Sequence, residues 1–250
     1  MLRRYRPLIA VALLAMMPAA VAGELTVAVA ANFAKPVEAM APVFAAATGH
    51  QLRISTGSTG KFYAQIRRGA PFDVFLSADE ARPALLEAEG RIVPGSRFVY
   101  AVGRLALWQA APGHPLTPDT LRADTAGRVA IANPKIAPYG AAAAAVIAHL
   151  GLTDVLTPRL VHGENIAQTF QFVATGNAAL GFVAWSQVSQ NGAVLRGSAW
   201  LVPPDMHPPI RQSAVLLKHG ADNPAAAAFM AFLKTDAARQ IIRQHGYDLE

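Results

Sequence analysis

The sequence predicts an α/β chain folded as two lobes, each built on a mixed, mainly parallel sheet, with the chain crossing twice between them. Three observations carry this. Short apolar runs rich in β-branched residues alternate with segments of helical spacing, the pattern of strands joined by crossover helices. Glycines stand where those helices should stop, at Gly49, Gly69, Gly151 and Gly176. Two passages break the alternation, one around Gly103 and one through the proline-rich VPPDMHPPIRQ at 202–212.

The first 22 residues lie outside this plan. They carry a basic start (Arg3, Arg4, Arg6), an apolar stretch from Leu8 to Met17, and Ala20 and Ala22 before Gly23, the pattern of an export leader cleaved after about Ala22. The apolar stretch is too short to span a bilayer, and no second one follows, so no membrane span is expected. There is no cysteine, hence neither a disulfide framework nor a lipid-attachment site.

The predicted strands are LTVAVAA (25–31), LRIST (52–56), DVFLS (73–77), VYAVGRLALW (99–108), RVAIA (128–132), LVH (160–162), LGFVA (180–184) and SAVLL (213–217). Between them Val37, Met40, Ala41 and Phe44 recur at helical spacing, as do Ile166, Phe170 and Val173. Pro42 falls inside the first helix and threatens to kink it. GAAAAAVIAH (140–149) is a strong helix former, and the chain ends in an Ala-rich helix pair. The first lobe is expected over 24–103, completed by 212–250, and the second over 104–211.

Loss of the leader's three arginines lowers the formal charge from +6 to +3, too mild for a nucleic-acid binder but of the right sign to attract a small anion. The most informative stretch is TGSTGK (56–61), where a strand gives way to a helix. Three chemistries fit it. A phosphate-binding P-loop requires four residues between its glycines and a hydroxyl after the lysine; Gly57 and Gly60 are too close and Phe62 occupies the hydroxyl position. Ser58 and Lys61 match S-x-x-K of the serine acyl enzymes, without the S-D-N and K-T-G elements that complete such a site. The third reading is an anion site, and it gains because the feature recurs. At Ala31–Phe33, 56–61, 133–140 and 162–168 a strand ends in small or polar residues and a helix begins. Helix starts offer unpaired N–H groups and partial positive charge, and parallel strands would aim all four at one crevice.

Each residue also has a plainer use. Asn32, Ser58 and Asp79 suit helix caps, Tyr139 could serve packing, and Lys61 could be a solvated charge. Glu164 is the one carboxylate near these junctions, and an acceptor there would oppose a fully ionised anion.

Together, VAANF, TGSTGKFYAQIRRGAPFDVFLSAD, YAVGRLALW, PKIAPYG and GENIAQTFQFVATGNAALGFVA resemble the molybdate-binding periplasmic proteins of ABC transporters, across essentially the whole chain after the leader. The resemblance implies the two-lobed periplasmic binding protein fold. It implies a periplasmic monomer that needs no cofactor, performs no catalysis, captures molybdate or tungstate, and hands it to a membrane permease. It further implies neutral donors at Ala31, Asn32, Ser58, Tyr139 and Ile166, touching the oxygens of the anion and not the metal. Ala31 offers only its N–H. Some members carry a tyrosine where this chain has Ala184, and Tyr139 corresponds to the tyrosine of a second subgroup. Capture of another oxyanion such as sulfate is the alternative closest to this reading.

Overall fold

The computed structural model describes residues 22–113, 115–123 and 127–250; the expected leader, up to residue 21, lies outside the described residues. Twelve strands and nine α-helices follow in order: β1 (Glu24–Ala30), α1 (Ala34–Thr48), β2 (Gln51–Gly57), α2 (Thr59–Arg67), β3 (Val74–Leu76), α3 (Ala81–Ala88), β4 (Phe98–Gly103), β5 (Leu105–Gln109), β6 (Val129–Ala132), α4 (Pro138–His149), α5 (Thr153–Leu156), β7 (Leu160–Gly163), α6 (Ile166–Ala174), β8 (Leu180–Ala184), α7 (Trp185–Val188), β9 (Ser189–Gln190), β10 (Ala193–Val194), β11 (Ser198–Leu201), β12 (Ile210–Leu216), α8 (Pro224–Phe232) and α9 (Asp236–Gln244).

The strands form two five-stranded sheets, ordered β2-β1-β3-β12-β4 and β7-β6-β8-β5-β11, plus a small β9–β10 hairpin. In each sheet three successive βα units supply parallel neighbours (β2, β1, β3 and β7, β6, β8), and the fourth strand runs against them. The fifth reverses again, so four of five strands share a direction in each sheet while half of the pairings are antiparallel. The sheets are therefore mixed, with one design used twice.

The expected long strand over 99–108 is two strands. Its first half pairs with β12 and its second half with β8 and β11, so the chain changes sheet at Arg104. The reason is visible in the pairing: no single straight strand can serve two sheets, and Gly103 lets the chain turn out of the first. The return passage runs from Leu201 at the end of β11 to Ile210 at the start of β12. Strand β11 was not anticipated, because SAWL is too short to show a period.

Side chains alternate across each sheet, as the two-residue strand period requires. Val27 and Val29 face the cluster of α1, α8 and α9, whereas Ala28 faces Phe62, Ile66 and Leu86 of α2 and α3. In the second sheet Leu105 and Leu107 face the α4 side, and Ala106 and Trp108 pack with Val173 of α6. Helix α1 continues through Pro42 and ends at Gly49, which is left-handed (φ 76°), as are Gly69, Gly151 and Gly176. Both sheets are thus covered on both faces, which leaves the carboxyl ends of their strands to form the facing walls of a crevice.

Candidate functional site

Between the lobes lies a small cavity, about 10 Å³ measured to the centre of a water-sized sphere, which suits one compact group and not an extended molecule. Ala31, Asn32, Ser58, Tyr139 and Ile166 all line it, together with Thr59, Asn165 and small residues at the strand ends. These five are between 2% and 9% exposed. No charged side chain lines the cavity.

The backbone explains the convergence. A short 3-10 turn over Ala31–Phe33 follows β1, α2 follows β2, α4 follows β6 with five residues between, and α6 follows β7. Four helical starts therefore meet at one point, and the first N–H groups of each have no acceptor within their own helix. Pro138 at the first position of α4 gives up an N–H that would have had no helical partner, at little cost.

Ser58 is both a cap and a candidate ligand group. Its Oγ accepts from Lys61 N at 3.3 Å, so its own hydroxyl proton is still available to donate. Asn165 caps α6 in the same way, its Oδ1 accepting from Gln168 N at 3.0 Å, and the N–H of Ile166 begins the helix at the cavity. Thr59 Oγ1 accepts from Ala78 N at 3.0 Å, which fixes the hydroxyl against the end of β3.

Asn32 is not a cap: neither the 3-10 turn nor α1 has a side-chain cap bond. Its Nδ2 instead donates to Gln212 Oε1 at 2.8 Å and to Tyr247 Oη at 3.0 Å, and Tyr247 donates back to the Asn32 carbonyl at 2.7 Å. With both amide protons engaged, the group Asn32 can offer the cavity is its backbone N–H. Gln212, Tyr247 and Tyr100 were not anticipated as part of the site; they adjoin Asn32 only in the folded chain, across separations such as 180 and 215 residues. Burial pushes the Tyr100 and Tyr139 hydroxyls well above the ordinary phenol range, and pushes Tyr247 up to about 12, so all three are neutral donors at physiological pH.

The lobes touch across the cavity mouth. Gly60 N donates to the Ile136 carbonyl at 2.9 Å, and a Cβ on Gly60 would lie 2.9 Å from Ile136 Cα, so only glycine permits this approach. Lys61 Nζ meets Glu164 Oε2 at 2.5 Å outside the cavity. Glu164, the carboxylate beside these junctions, is thus paired with a lysine, and Lys61 reaches across to the other lobe. Asp79 accepts from Arg82 N at 3.1 Å, the local role its position suggested. Ala184 is fully buried and does not line the cavity.

A site of this kind, built from N–H and O–H groups without a cation or carboxylate, is suited to a small, fully ionised oxyanion. The family described as bacterial extracellular solute-binding protein matches residues 25–248. The molybdate-binding protein ModA of Azotobacter vinelandii is 53% identical over 233 residues, 93% of this chain and 92% of that protein. Its counterpart of the same name from Rhodobacter capsulatus is 50% identical over 94% of this chain and 91% of its own length. The solved Azotobacter vinelandii periplasmic molybdate-binding protein superposes with a TM-score of 0.87 at 44% identity, covering 90% of this chain and 99% of that one.

Proposed function

The chain belongs to the family of bacterial extracellular solute-binding proteins, and from that premise we propose that it is a periplasmic molybdate-binding protein serving an ABC transporter. The observation that carries the reading is the cavity itself: donors from both lobes, no charged side chain, and room for one compact ion. Its action is binding, with no covalent step.

The ligand groups are the N–H of Ala31 and Asn32, the Ser58 hydroxyl, the Tyr139 hydroxyl and the N–H of Ile166. They replace the water around the dianion, and the partial positive ends of the helices supply the countercharge. Because the donors are divided between lobes, the anion binds the closed form better than the open one, and that difference is what drives closure. The Lys61–Glu164 pair is exposed on both sides and adds little to closure. Tungstate, of nearly the same size and charge, is a second ligand of the same cup. The protein acts as a monomer after loss of its leader at about Ala22, and its closed form is what the permease receives.

A thermal-shift panel of molybdate, tungstate, sulfate and phosphate tests this. At about 100 times Kd a ligand that binds only the native state adds about 2.7 kcal/mol, which for a chain of this size is roughly 5–10 °C. Molybdate and tungstate should give that rise and the other two none. A rise with sulfate alone, or none with molybdate, would contradict the assignment.

A further inference from the structure

Accepting that reading, we infer that Gln212 is a positioning residue for oxyanion capture: with Gly103 it forms a socket that seats the Tyr139 hydroxyl between the two chain crossings and leaves that hydroxyl's proton for the anion. Gln212 does not line the cavity. It lies on β12, fully buried, where the second crossing re-enters the first sheet. Gly103 ends β4, where the first crossing leaves it, and β4 and β12 are paired neighbours. The ladder between them slips by one residue between Gln212 and Ser213, and such an irregularity re-aims a side chain.

Both ends of the Gln212 amide are hydrogen-bonded. Its Oε1 accepts from Asn32 Nδ2 at 2.8 Å and from Tyr100 Oη at 2.9 Å. With Oε1 turned to these two groups, Nε2 points the other way and donates to Tyr139 Oη at 3.3 Å. A phenol oxygen that accepts from Nε2 keeps its single proton for an incoming anion. Tyr139 belongs to α4 of the second lobe, whereas Asn32, Tyr100 and Gln212 belong to strands and turns of the first sheet. One side-chain amide therefore orients donors of both lobes.

Gly103 completes the socket by having no side chain. A Cβ there would lie 2.2 Å from Tyr139 Oη and 2.8 Å from Gln212 Nε2. Its backbone is not in the left-handed region, so what opposes an alanine there is this contact alone.

The test is a double-mutant cycle on molybdate affinity by calorimetry, using the wild-type protein, Gln212→Met, Tyr139→Phe and the double variant. Because Gln212 acts in part through the Tyr139 hydroxyl, Gln212→Met should weaken binding about tenfold in the wild type and about threefold or less when Tyr139 is already phenylalanine. Equal losses in both backgrounds, or no loss in the wild type, would overturn the proposal. A purely structural role would lower the melting temperature of the ligand-free protein without this coupling. Should Gln212→Met fail to fold, since it strips Asn32 and Tyr100 of an acceptor, Gly103→Ala carries the same test. It displaces the same hydroxyl without removing a polar group, and its loss of affinity should shrink in the Tyr139→Phe background; an undiminished loss would overturn the proposal. Failure of the wild-type protein to bind molybdate would instead overturn the functional reading on which this rests.

Discussion

The starts of α2 and α6 face each other across the cavity and use the same device to different ends. In both, a polar residue at the cap accepts an N–H from three positions along: Ser58 from Lys61 and Asn165 from Gln168. A serine that accepts keeps a proton and can still donate, so in the proposed site the cap of α2 can itself be a ligand group. An asparagine commits its oxygen to the helix and keeps its amide protons on a separate atom; in the proposed site the ligand group at α6 is the next N–H along the backbone, that of Ile166. The comparison teaches that a cap and a ligand role are not alternatives. Which residue type does the capping decides whether the side chain or the main chain meets the guest.

The sharpest way to break the comparison is to hold the two lobes, and with them the two helix starts, apart at the contact between Gly60 of α2 and Ile136, just before α4. Gly60→Val places a branched side chain against Ile136, whose backbone a bare Cβ would already approach to 2.9 Å. Closure should fail, and molybdate affinity should fall about a hundredfold or more, a loss of roughly 3 kcal/mol, with the melting temperature of the ligand-free protein little changed. Calorimetry on the pure variant checks both halves of this.

A smaller effect separates the two caps. Ser58→Ala should cost about tenfold in affinity and about 1 kcal/mol in stability, because it removes donor and cap together. Asn165→Ala should cost the same stability with affinity changed by about threefold at most. Urea melts paired with calorimetry would show it, and equal affinity losses would dissolve the distinction.

The smallest expected effect on affinity is that of pH. Among the described residues Tyr139 is the only titratable side chain lining the cup, and burial raises it, as it raises Tyr100 and carries Tyr247 to about 12. Affinity should therefore be flat from about pH 7 to 9. For stability, a folded-state value above the unfolded value of 10.0 means that the contribution is complete below pH 10 and is lost as pH rises through about 12. Tyr247 alone makes this about 3 kcal/mol, read as a fall in the urea midpoint at high pH.

Much of this was legible in the sequence because the information is local. Alternating apolar runs, glycines at helix ends and small polar residues at strand-to-helix junctions are all properties of a few consecutive residues, and they marked the four junctions; Ala31, Asn32, Ser58, Tyr139 and Ile166 were singled out by the resemblance to the molybdate-binding proteins, and all five line one cavity. What the residue type does there was less legible. Asn32 reads as a cap by preference, yet its amide turns away from the helix, because Gln212 and Tyr247 arrive from distant segments to take both protons. Gln212 carries no local signal at all: it follows a proline-rich passage, and only the pairing of β12 with β4 brings it beside Gly103. The split of the strand over 99–108 was hidden for a similar reason, since both halves are equally apolar and only their partners differ. Periodicity reports that a residue is buried, and it is silent on which sheet buries it.

The central claim is that uncharged donors of both lobes converge on one anion. A crystal structure of the molybdate complex tests it most directly. The account predicts oxygen atoms of the anion within hydrogen-bond distance of Ser58 Oγ and an N–H of the first lobe, and of Tyr139 Oη and Ile166 N of the second. An anion contacted by one lobe alone, or held by a lysine or arginine outside the cavity, would contradict it.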